Sequence, residues 1–435
     1  MFYIIEKPEQ LVNLRPVGDC FVNFIPFSDN FHAKLSPLSL VYVRGIKDRK
    51  GYILCLEHNE SFCLPQQMVE EWLLKNTDKI FVDNKKEALY WFNHPDKLHD
   101  INFIERIDLV VNPVDVPAIS YYYSTHTNYP TVNKIIPISK HYEESEKIFS
   151  IVLPIIQKFR AEDAVYAFNN GPLTRIFYEI ESQGIKLDKQ CFIDCYGESL
   201  KYPEFNIGKS KIYSQYHLYS TTGRPSNSYN SINFAALNKN NGERLCYKPS
   251  NDKFIEFDIQ GYHPRLIGEL IDFHFPKDKN TYEYLGELLG VTQQEAKELT
   301  FKQLYGGVWK EYQYKPFFKD VVYYTDSLWE EYQYSGMINC VNRTFRRSEL
   351  EDMTQSKLLN YVVQSYETST NVIILEKILD YLKDKKTKLV LYTYDAFLFD
   401  YSEEDGNQLL IDIKNIIWYP VNVKQGNTYH GLEKI

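Results

Sequence analysis

The sequence predicts an α+β protein, and three observations lead to that prediction. Asp258, in FIEFDIQGYHPR, and Asp395, in LVLYTYDAFLFD, each close a run of β-type residues. Between them, Lys297, Phe301 and Tyr305 recur every four residues, which is helical spacing. The C-terminal residues read as a hairpin, a helix and a strand. We therefore expect a strand layer that is interrupted along the chain by a helical segment.

Length and composition place the chain among globular proteins. Its 435 residues, of which 44% are hydrophobic, are enough for two or three domains. The seven cysteines form no C-x-x-C pair, which argues against a zinc ribbon or a disulfide framework and indicates a reducing compartment. No apolar run is long enough to span a membrane, and the N-terminus lacks a basic signal region. We expect a cytoplasmic protein.

The net charge of -9 is unfavourable for a nucleic-acid partner, because phosphate binding depends on Lys and Arg. One segment differs from this average. Residues 197–248 carry seven basic and three acidic side chains among many Tyr, Ser and Asn residues. This mixture is suited to hydrogen bonding with sugar and phosphate. A solvated polar loop explains the segment equally well when it is considered alone.

The N-terminal part predicts a separate module. Residues 1–136 alternate β-rich runs (FVNFIPF, LSLVYVRG, GYILCLE and KIFVD) with helical patches, which is typical of an α/β domain. Residues 111–137 are rich in Pro, Asn and Thr and indicate a linker, so we place a boundary there. An amphipathic helix is expected at 141–160. The following segment, GPLTRIFYEIESQGIKLD, predicts a helix that Gly184 ends.

The two aspartates follow different elements. The strand before Asp258 turns into a helix with Pro264 in its first turn, where a missing N–H costs nothing. Taken alone, such an Asp is explained by capping of the next helix. Asp395 lies at the bend of a predicted buried hairpin, where a carboxylate is unfavourable unless a cation compensates it. The pair together favours metal binding.

The helical segment TQQEAKELTFKQLYGG places Lys297, Phe301 and Tyr305 on one face and ends at Gly306 and Gly307. An amphipathic packing helix is one explanation. However, a core would not tolerate the ammonium group, and a solvated face would not need two rings. A charge for a triphosphate, a wall for a nucleotide and a stacking platform for a base explain all three residues.

These patterns together resemble the motifs of the DNA polymerase I family (family A). Thr222-Gly223-Arg224, with Asn233 downstream, looks like the family's T-G-R loop, which touches primer and template. Asn360 and Gln364 match its N-x3-Q pair near the primer terminus. The planar guanidinium of Arg224 in a rigid loop is suited to minor-groove acceptors or phosphates, although a surface Arg in a turn is otherwise unremarkable.

Three further segments are similar to motifs A, B and C of that family: FDIQGYHPR, the helix of Lys297, and YDA at 394–396. The resemblance implies that Asp258, Asp395 and the Ile259 carbonyl hold two Mg²⁺ ions, with Mn²⁺ able to substitute. It implies catalytic roles for Asp258, Asp395 and Lys297. It also implies a nucleotide site formed by Ile259, His263, Gln293, Lys297, Phe301 and Tyr305, and DNA contacts by Arg224, Asn233, Gly306, Asn360 and Gln364.

The departures from the family pattern carry expectations of their own. His263 stands where the family has a Glu that acts as a steric gate against a 2′-hydroxyl, and Gln293 stands where motif B begins with Arg. Only 39 residues separate Gly184 from Arg224, so the thumb must be strongly reduced and processivity low. The run FVNFIPF lacks the D-x-E pair of the family's 3′–5′ exonuclease domain, so we expect no proofreading.

The resemblance therefore implies a right-hand polymerase palm and fingers with a minimal thumb, preceded by a smaller α/β domain of degenerate, RNase H-like exonuclease type. We place this degenerate exonuclease-like domain at 1–136, palm entry and reduced thumb at 137–265, fingers at 266–342 and palm at 343–435. The implied activity is template-directed DNA synthesis, with primer-template DNA, dNTPs and a thumb-replacing processivity or replisome protein as partners. The small size suggests a phage-encoded enzyme in the host cytoplasm.

Two alternatives stay open. A single-subunit RNA polymerase or primer-synthesising enzyme shares motifs A to C, and the altered gate at His263 invites that reading, whereas Phe301 and the T-G-R loop favour DNA. A catalytically silent nucleic-acid-binding assembly factor would explain the shortened thumb, although both aspartates are present.

Overall fold

The computed structural model describes six N-terminal strands by their backbone and most of the chain after residue 171. The described residues are 2–4, 18–26, 49–55, 60–65, 77–82, 107–109, 172–196, 210–214, 216–218, 220–227, 232–238, 242–276 and 279–435. The chain divides into two compact units, 1–219 with 227–236, and 220–226 with 237–435. The predicted linker, the predicted helix at 141–160 and Lys201, Lys209 and Lys239 of the basic segment lie outside the described residues. The predicted domain boundaries stay predictions.

The first unit contains a six-stranded mixed sheet. Its strands are β1 (Phe2–Ile4), β2 (Gly18–Pro26), β3 (Arg49–Cys55), β4 (Glu60–Pro65), β5 (Thr77–Val82) and β6 (Ile107–Leu109), in the order β1-β4-β3-β2-β5-β6. Strands β2, β3 and β4 are antiparallel, whereas β5 runs parallel to β2 and β6 parallel to β5. The predicted β-rich runs FVNFIPF, GYILCLE and KIFVD fall on β2, β3 and β5.

The later part of this unit confirms one predicted helix end. Helix α1 (Thr174–Gln183) stops at Gly184, whose φ of 64° lies in the left-handed region that glycine adopts without strain. A Cβ at this position would lie 2.7 Å from the Tyr213 ring, so the glycine is also required by space. The strands β7 (Ile185–Leu187) and β8 (Lys211–Ile212) pair antiparallel, and helix α2 spans Lys189–Tyr196.

The second unit is built on a five-stranded antiparallel sheet. The strands are β10 (Lys253–Ile259), β13 (Lys388–Thr393), β14 (Ala396–Tyr401), β15 (Val421–Gly426) and β16 (Glu433–Lys434), in the order β13-β14-β10-β15-β16. A short strand β9 (Tyr247–Lys248) precedes them. The predicted C-terminal hairpin, helix and strand are confirmed as β13 and β14, the helix Gln408–Ile417 and β15.

Several helices make up most of the rest of this unit. They are α3 (Tyr262–Leu270), α4 (Thr281–Leu289), α5 (Gln293–Gly306), α6 (Pro316–Ser335), α7 (Gln355–Leu382) and α8 (Gln408–Ile417), with the hairpin of β11 (Met337–Asn339) and β12 (Thr344–Arg346) after α6. Buried side chains of α3 to α7 pack into one hydrophobic cluster that includes Ile267, Leu285, Leu304, Phe317 and Leu358. Among the described residues, no helix combines the length and apolar character that crossing a membrane requires.

Candidate active site

Eleven of the thirteen site residues predicted from the sequence line one cavity of about 890 Å³ in the second unit, and Asn233 and Gly306 do not. The cavity lies where the end of β10, the β13–β14 hairpin tip and the helices α3, α5 and α7 converge. The predicted residues that line it are Arg224, Asp258, Ile259, His263, Gln293, Lys297, Phe301, Tyr305, Asn360, Gln364 and Asp395. Segments far apart in the sequence thus contribute to a single site.

Asp258 and Asp395 lie on neighbouring strands, as the sequence predicted. Asp258 precedes the last residue of β10, and its Cα is paired with that of Ala396 at the start of β14. Asp395 occupies the two-residue tip that joins β13 to β14. The Ile259 N–H donates a hydrogen bond of 2.8 Å to the Asp395 carbonyl oxygen, which fixes the hairpin tip against the end of β10.

Asp395 forms no ion pair with a described residue, although the nearby Arg224 acts to lower its pKa. Burial, followed by the nearby carboxylates Asp258 and Glu367, raises the pKa of Asp395 to about 6. Its side chain nevertheless opens into the cavity, so water partly screens this charge. Within the part of the chain that the structure describes, Asp395 has no ion pair. A carboxylate in this position is suited to bind a cation.

The motif helix α5 presents its predicted face to the cavity. Thr292 caps the helix: its hydroxyl accepts from the Glu295 N–H, and the Glu295 side chain accepts from the Thr292 N–H. Phe301 and Tyr305 stack with their ring centroids 5.8 Å apart, one turn from each other. The Lys297 Nζ lies 6.0 Å from the centre of the Tyr282 ring. A cation and two stacked rings therefore form one wall of the site.

The ends of this helix fit the prediction. Gln293 is its first residue and is exposed at the cavity, while Gly306 is its last residue and is exposed outside the lining. The backbone of Gly307 has a φ of 90°, which ends the helix at the glycine pair.

His263 lies in the middle of a chain of polar contacts that crosses the cavity. Its Nδ1 is hydrogen-bonded to the Tyr305 hydroxyl, and its Nε2 lies 3.4 Å from Glu367 Oε2. Arg224 completes the chain, because its Nε lies 2.8 Å from Glu367 Oε2 and its Nη2 donates to Oε1 at 3.1 Å. These contacts connect the loop at 220–226 and the helices α3 and α7 to the end of α5.

Glu367 is the centre of this network and is fully buried. Burial alone would raise the pKa of Glu367, but Arg224 and His263 hold it below its usual range. For Arg224, burial would lower the pKa, and Glu367, Tyr392 and Tyr394 raise it overall. The two groups therefore stay charged as a bidentate ion pair.

Arg224 also stacks on the hairpin tip. Its guanidinium carbon lies 3.7 Å from the centroid of the Tyr394 ring, a cation–π contact. Tyr394 has a φ of 64°, which is unfavourable for a bulky side chain. Its carbonyl accepts a hydrogen bond of 3.0 Å from Asn371 Nδ2. The strained turn that presents Asp395 is thus held from two sides.

The N-x3-Q pair lies one turn before Glu367 on α7. Gln364 Nε2 donates to Asn360 Oδ1 at 2.8 Å, and Gln364 Oε1 accepts from the Thr222 hydroxyl at 2.8 Å. The predicted T-G-R loop and the predicted pair therefore contact each other directly. Asn233 differs from these residues, since it belongs to the first unit, where it is exposed.

Several residues of the site were missed by the sequence analysis. Glu367 could have been found from N-x3-Q-x2-E, which places three polar side chains on one helix face. Glu256 alternates with Asp258 on β10, and Lys424 Nζ contacts both carboxylates at 2.9 and 2.7 Å. No sequence signal indicated Lys424, because its strand is paired with β10 only in the folded sheet.

The donor set fits a divalent hard cation. Asp258, Asp395 and the Ile259 carbonyl provide oxygen ligands, which Mg²⁺ prefers to nitrogen or sulfur. Burial, and after it the carboxylates Asp258 and Glu367, raises the pKa of Asp395 to about 6, which a bound cation would oppose. The residues present are therefore compatible with the ions that the sequence predicted.

Comparisons with known proteins agree with this arrangement at the level of fold. No protein-family model matches the sequence. No curated protein matches it either. Among solved structures, the chain is similar to the polymerase (POL) domain of Pol1 from M. smegmatis in complex with DNA primer-template and dNTP, with a TM-score of 0.64 and 10% sequence identity over 87% of this chain and 92% of that chain. This chain has a DNA polymerase fold. The α+β prediction is confirmed, while the minimal thumb and the exonuclease-like domain stay predictions.

Proposed function

We propose that this protein is a template-directed DNA polymerase that adds dNTPs to a primer 3′-hydroxyl by two-metal-ion nucleotidyl transfer. The observation that carries the proposal is the convergence of Asp258, Asp395 and the α5 face of Lys297, Phe301 and Tyr305 on one cavity. The fold likeness to a polymerase domain supports it. Primer-template DNA and dNTPs are the proposed partners.

Asp258, Asp395 and the Ile259 carbonyl would hold two Mg²⁺ ions. When bound, such ions lower the pKa of the attacking hydroxyl and neutralise the leaving pyrophosphate. The chain positions the ligands through the sheet, since β10 and the β13–β14 tip are hydrogen-bonded neighbours. Ligands on strand ends are held more rigidly than ligands on long loops.

The α5 face would bind the incoming nucleotide. The Lys297 ammonium is exposed in the cavity and can pair with phosphate oxygens, while Phe301 offers its ring to the sugar and base. Tyr305, whose hydroxyl is hydrogen-bonded to His263, would hold the template side of the pocket. Gln293, at the first turn of α5, can add a neutral donor where a helix N-terminus already favours anions.

Arg224, Asn360 and Gln364 would contact the DNA beside the primer terminus. Because Arg224 forms two contacts with Glu367, only part of its guanidinium is available to a base or a phosphate. Gln364 is likewise bonded to Thr222 and Asn360. We therefore propose that Arg224, Asn360 and Gln364 recognise mainly the shape of the DNA surface. Asn233 and Gly306 complete the proposed DNA contacts.

The decisive experiment is primer extension with Mg²⁺ and dNTPs. Asp258→Asn and Asp395→Asn should each abolish extension, because each removes a charged oxygen ligand. Asp272→Asn is the matched control, since that carboxylate is almost fully exposed at the end of α3 and outside the cavity. DNA binding without extension by the parent protein would instead support the silent assembly factor and refute the proposal.

Low processivity and absence of proofreading belong to the same proposal. They are supported by the short span between Gly184 and Arg224 and by the residues Asn23 and Ile25 on β2, where carboxylates would be needed. Single-encounter extension, with a DNA trap, should give short products. Mg²⁺-dependent release of 3′-terminal nucleotides would contradict the second point.

The alternative that the structure addresses is an RNA or primer polymerase, which would use rNTPs in place of dNTPs. His263 takes the predicted gate position and is held by Tyr305 and Glu367 rather than being free to move. A fixed imidazole wall is still bulky enough to exclude a 2′-hydroxyl, so we favour dNTPs. Comparison of dNTP and rNTP incorporation on one primed template tests this choice, and equal incorporation would favour an RNA or primer polymerase.

A further inference from the structure

A lysine of the chain lies on the predicted metal ligand. Lys424 Nζ donates to Asp258 Oδ2 at 2.7 Å and to Glu256 Oε1 at 2.9 Å. The strands β10 and β15 are antiparallel, with Glu256 paired to Lys424 and Asp258 paired to Asn422. Directly paired residues, and residues two apart on one strand, share a face of a sheet. The contact is therefore set by strand register.

Glu256 and Asp258 thus share one lysine, and Asp395 is the next carboxylate at this end of the sheet. Glu256 is buried, Asp258 lines the cavity, and Asp395 lies at the hairpin tip beside it. Of these three, Glu256 does not line the cavity, although its carboxylate shares a lysine with Asp258. Without that lysine, Glu256 would be an uncompensated buried charge that could attract a divalent cation away from Asp395.

We propose that Lys424 is a positioning residue that holds Glu256 out of the metal site and that its ammonium competes with a divalent cation for the Asp258 carboxylate. The ammonium neutralises Glu256 and holds Asp258 through Oδ2, while Asp258 Oδ1 accepts no hydrogen bond from the described residues. The inference rests on the metal site of the proposed function.

Charge fixes the expected sign for each variant. Lys424→Met removes a cation beside the site and frees Glu256, so a repulsion of about 1.4 kcal/mol is lost and divalent cations should bind about tenfold more tightly. Glu256→Gln leaves the lysine charge on Asp258 alone, so binding should weaken by a similar factor. The double variant Glu256→Gln/Lys424→Met restores the net charge and should lie within about threefold of the parent.

The test is titration of the full chain with Mn²⁺, followed by the electron paramagnetic resonance of free Mn²⁺, without DNA or nucleotide. Lys434→Met is the matched control, because Lys434 is paired with Lys424 across β15 and β16 but is exposed. It removes the same charge and should change the affinity less than twofold. Unchanged or weaker binding by Lys424→Met overturns the inference. If that variant does not fold, unchanged or tighter binding by Glu256→Gln overturns it.

Asp258→Asn and Asp395→Asn in the same titration separate this inference from the proposed function. If neither substitution weakens Mn²⁺ binding, the proposed metal site is wrong. If both weaken it and the Lys424 and Glu256 variants bind like the parent, only the inference about Lys424 is wrong.

Discussion

Glu367→Gln is the sharpest test of how the site is held together. The substitution keeps the shape of the side chain and removes the charge that pairs with Arg224 and His263. Loss of one partner from a buried ion pair costs about 3–5 kcal/mol. The Arg224 side chain is 25% exposed, so water recovers part of this cost. We expect α7 to be destabilised by about 2–3 kcal/mol.

Hydrogen exchange with mass spectrometry measures this locally, on peptides from α7. A loss of about 2 kcal/mol corresponds to exchange roughly 30-fold faster when exchange follows the opening equilibrium. Asp380→Asn is the control, because this carboxylate lies on the same helix in an exposed pair with Lys383. It should change the opening free energy by less than about 0.5 kcal/mol.

The pH dependence gives a second readout with a defined sign. The pKa of Glu367 is lower in the folded protein than its usual value, so the folded state binds this proton less readily. Its stabilising contribution is fully present above the usual carboxyl pKa and is lost as the pH falls through the lowered value. The difference between parent and Glu367→Gln should therefore shrink in acid. Equal protection of α7 in both proteins at neutral pH would refute the ion-pair reasoning.

Three other predictions concern single elements of the site. Because the pKa of Asp395 is raised to about 6, Mn²⁺ affinity should fall as the pH drops from 7 to 5, and Mn²⁺ binding should release a proton. Calorimetry in two buffers measures both effects. An affinity that does not change with pH would count against Asp395 as a ligand. Lys297→Met should raise the KM for dNTP by about tenfold or more, whereas Lys302→Met, exposed outside the cavity on the same helix, should not; equal effects would show that Lys297 does not contact phosphate. Gly261→Ala should lower the thermal midpoint, because Gly261 has a φ of 59° and a Cβ there would lie 2.7 Å from the Thr281 Cβ; an unchanged midpoint would contradict this packing.

Local signals in the sequence were sufficient to predict much of the second unit. Alternating apolar residues predicted the hairpin with Asp395 at its bend, and four-residue spacing predicted that Lys297, Phe301 and Tyr305 share one helix face. The glycine at position 184 predicted the end of its helix correctly. These features depend on residues close together in the chain, where backbone geometry fixes which side chains share a face.

The contacts that could not be predicted are those that depend on register and on helix placement. Lys424 reaches Asp258 only because β15 pairs with β10 in one register, and a slip of one residue would send it to the other face. Glu367 reaches Arg224 across 143 positions of sequence. Neither the strand nor the helix carries a local pattern that indicates its distant partner.

The balance of charge explains why the two aspartates are not equivalent. Among the described carboxylates at this end of the sheet, Glu367 is paired with Arg224, and Glu256 and Asp258 share Lys424. Asp395 has no ion pair with a described residue, and burial with the carboxylates Asp258 and Glu367 raises its pKa to about 6. Asp395 is therefore the proposed ligand where added metal should change the electrostatics most, whereas the charge of Asp258 is already shared with Lys424.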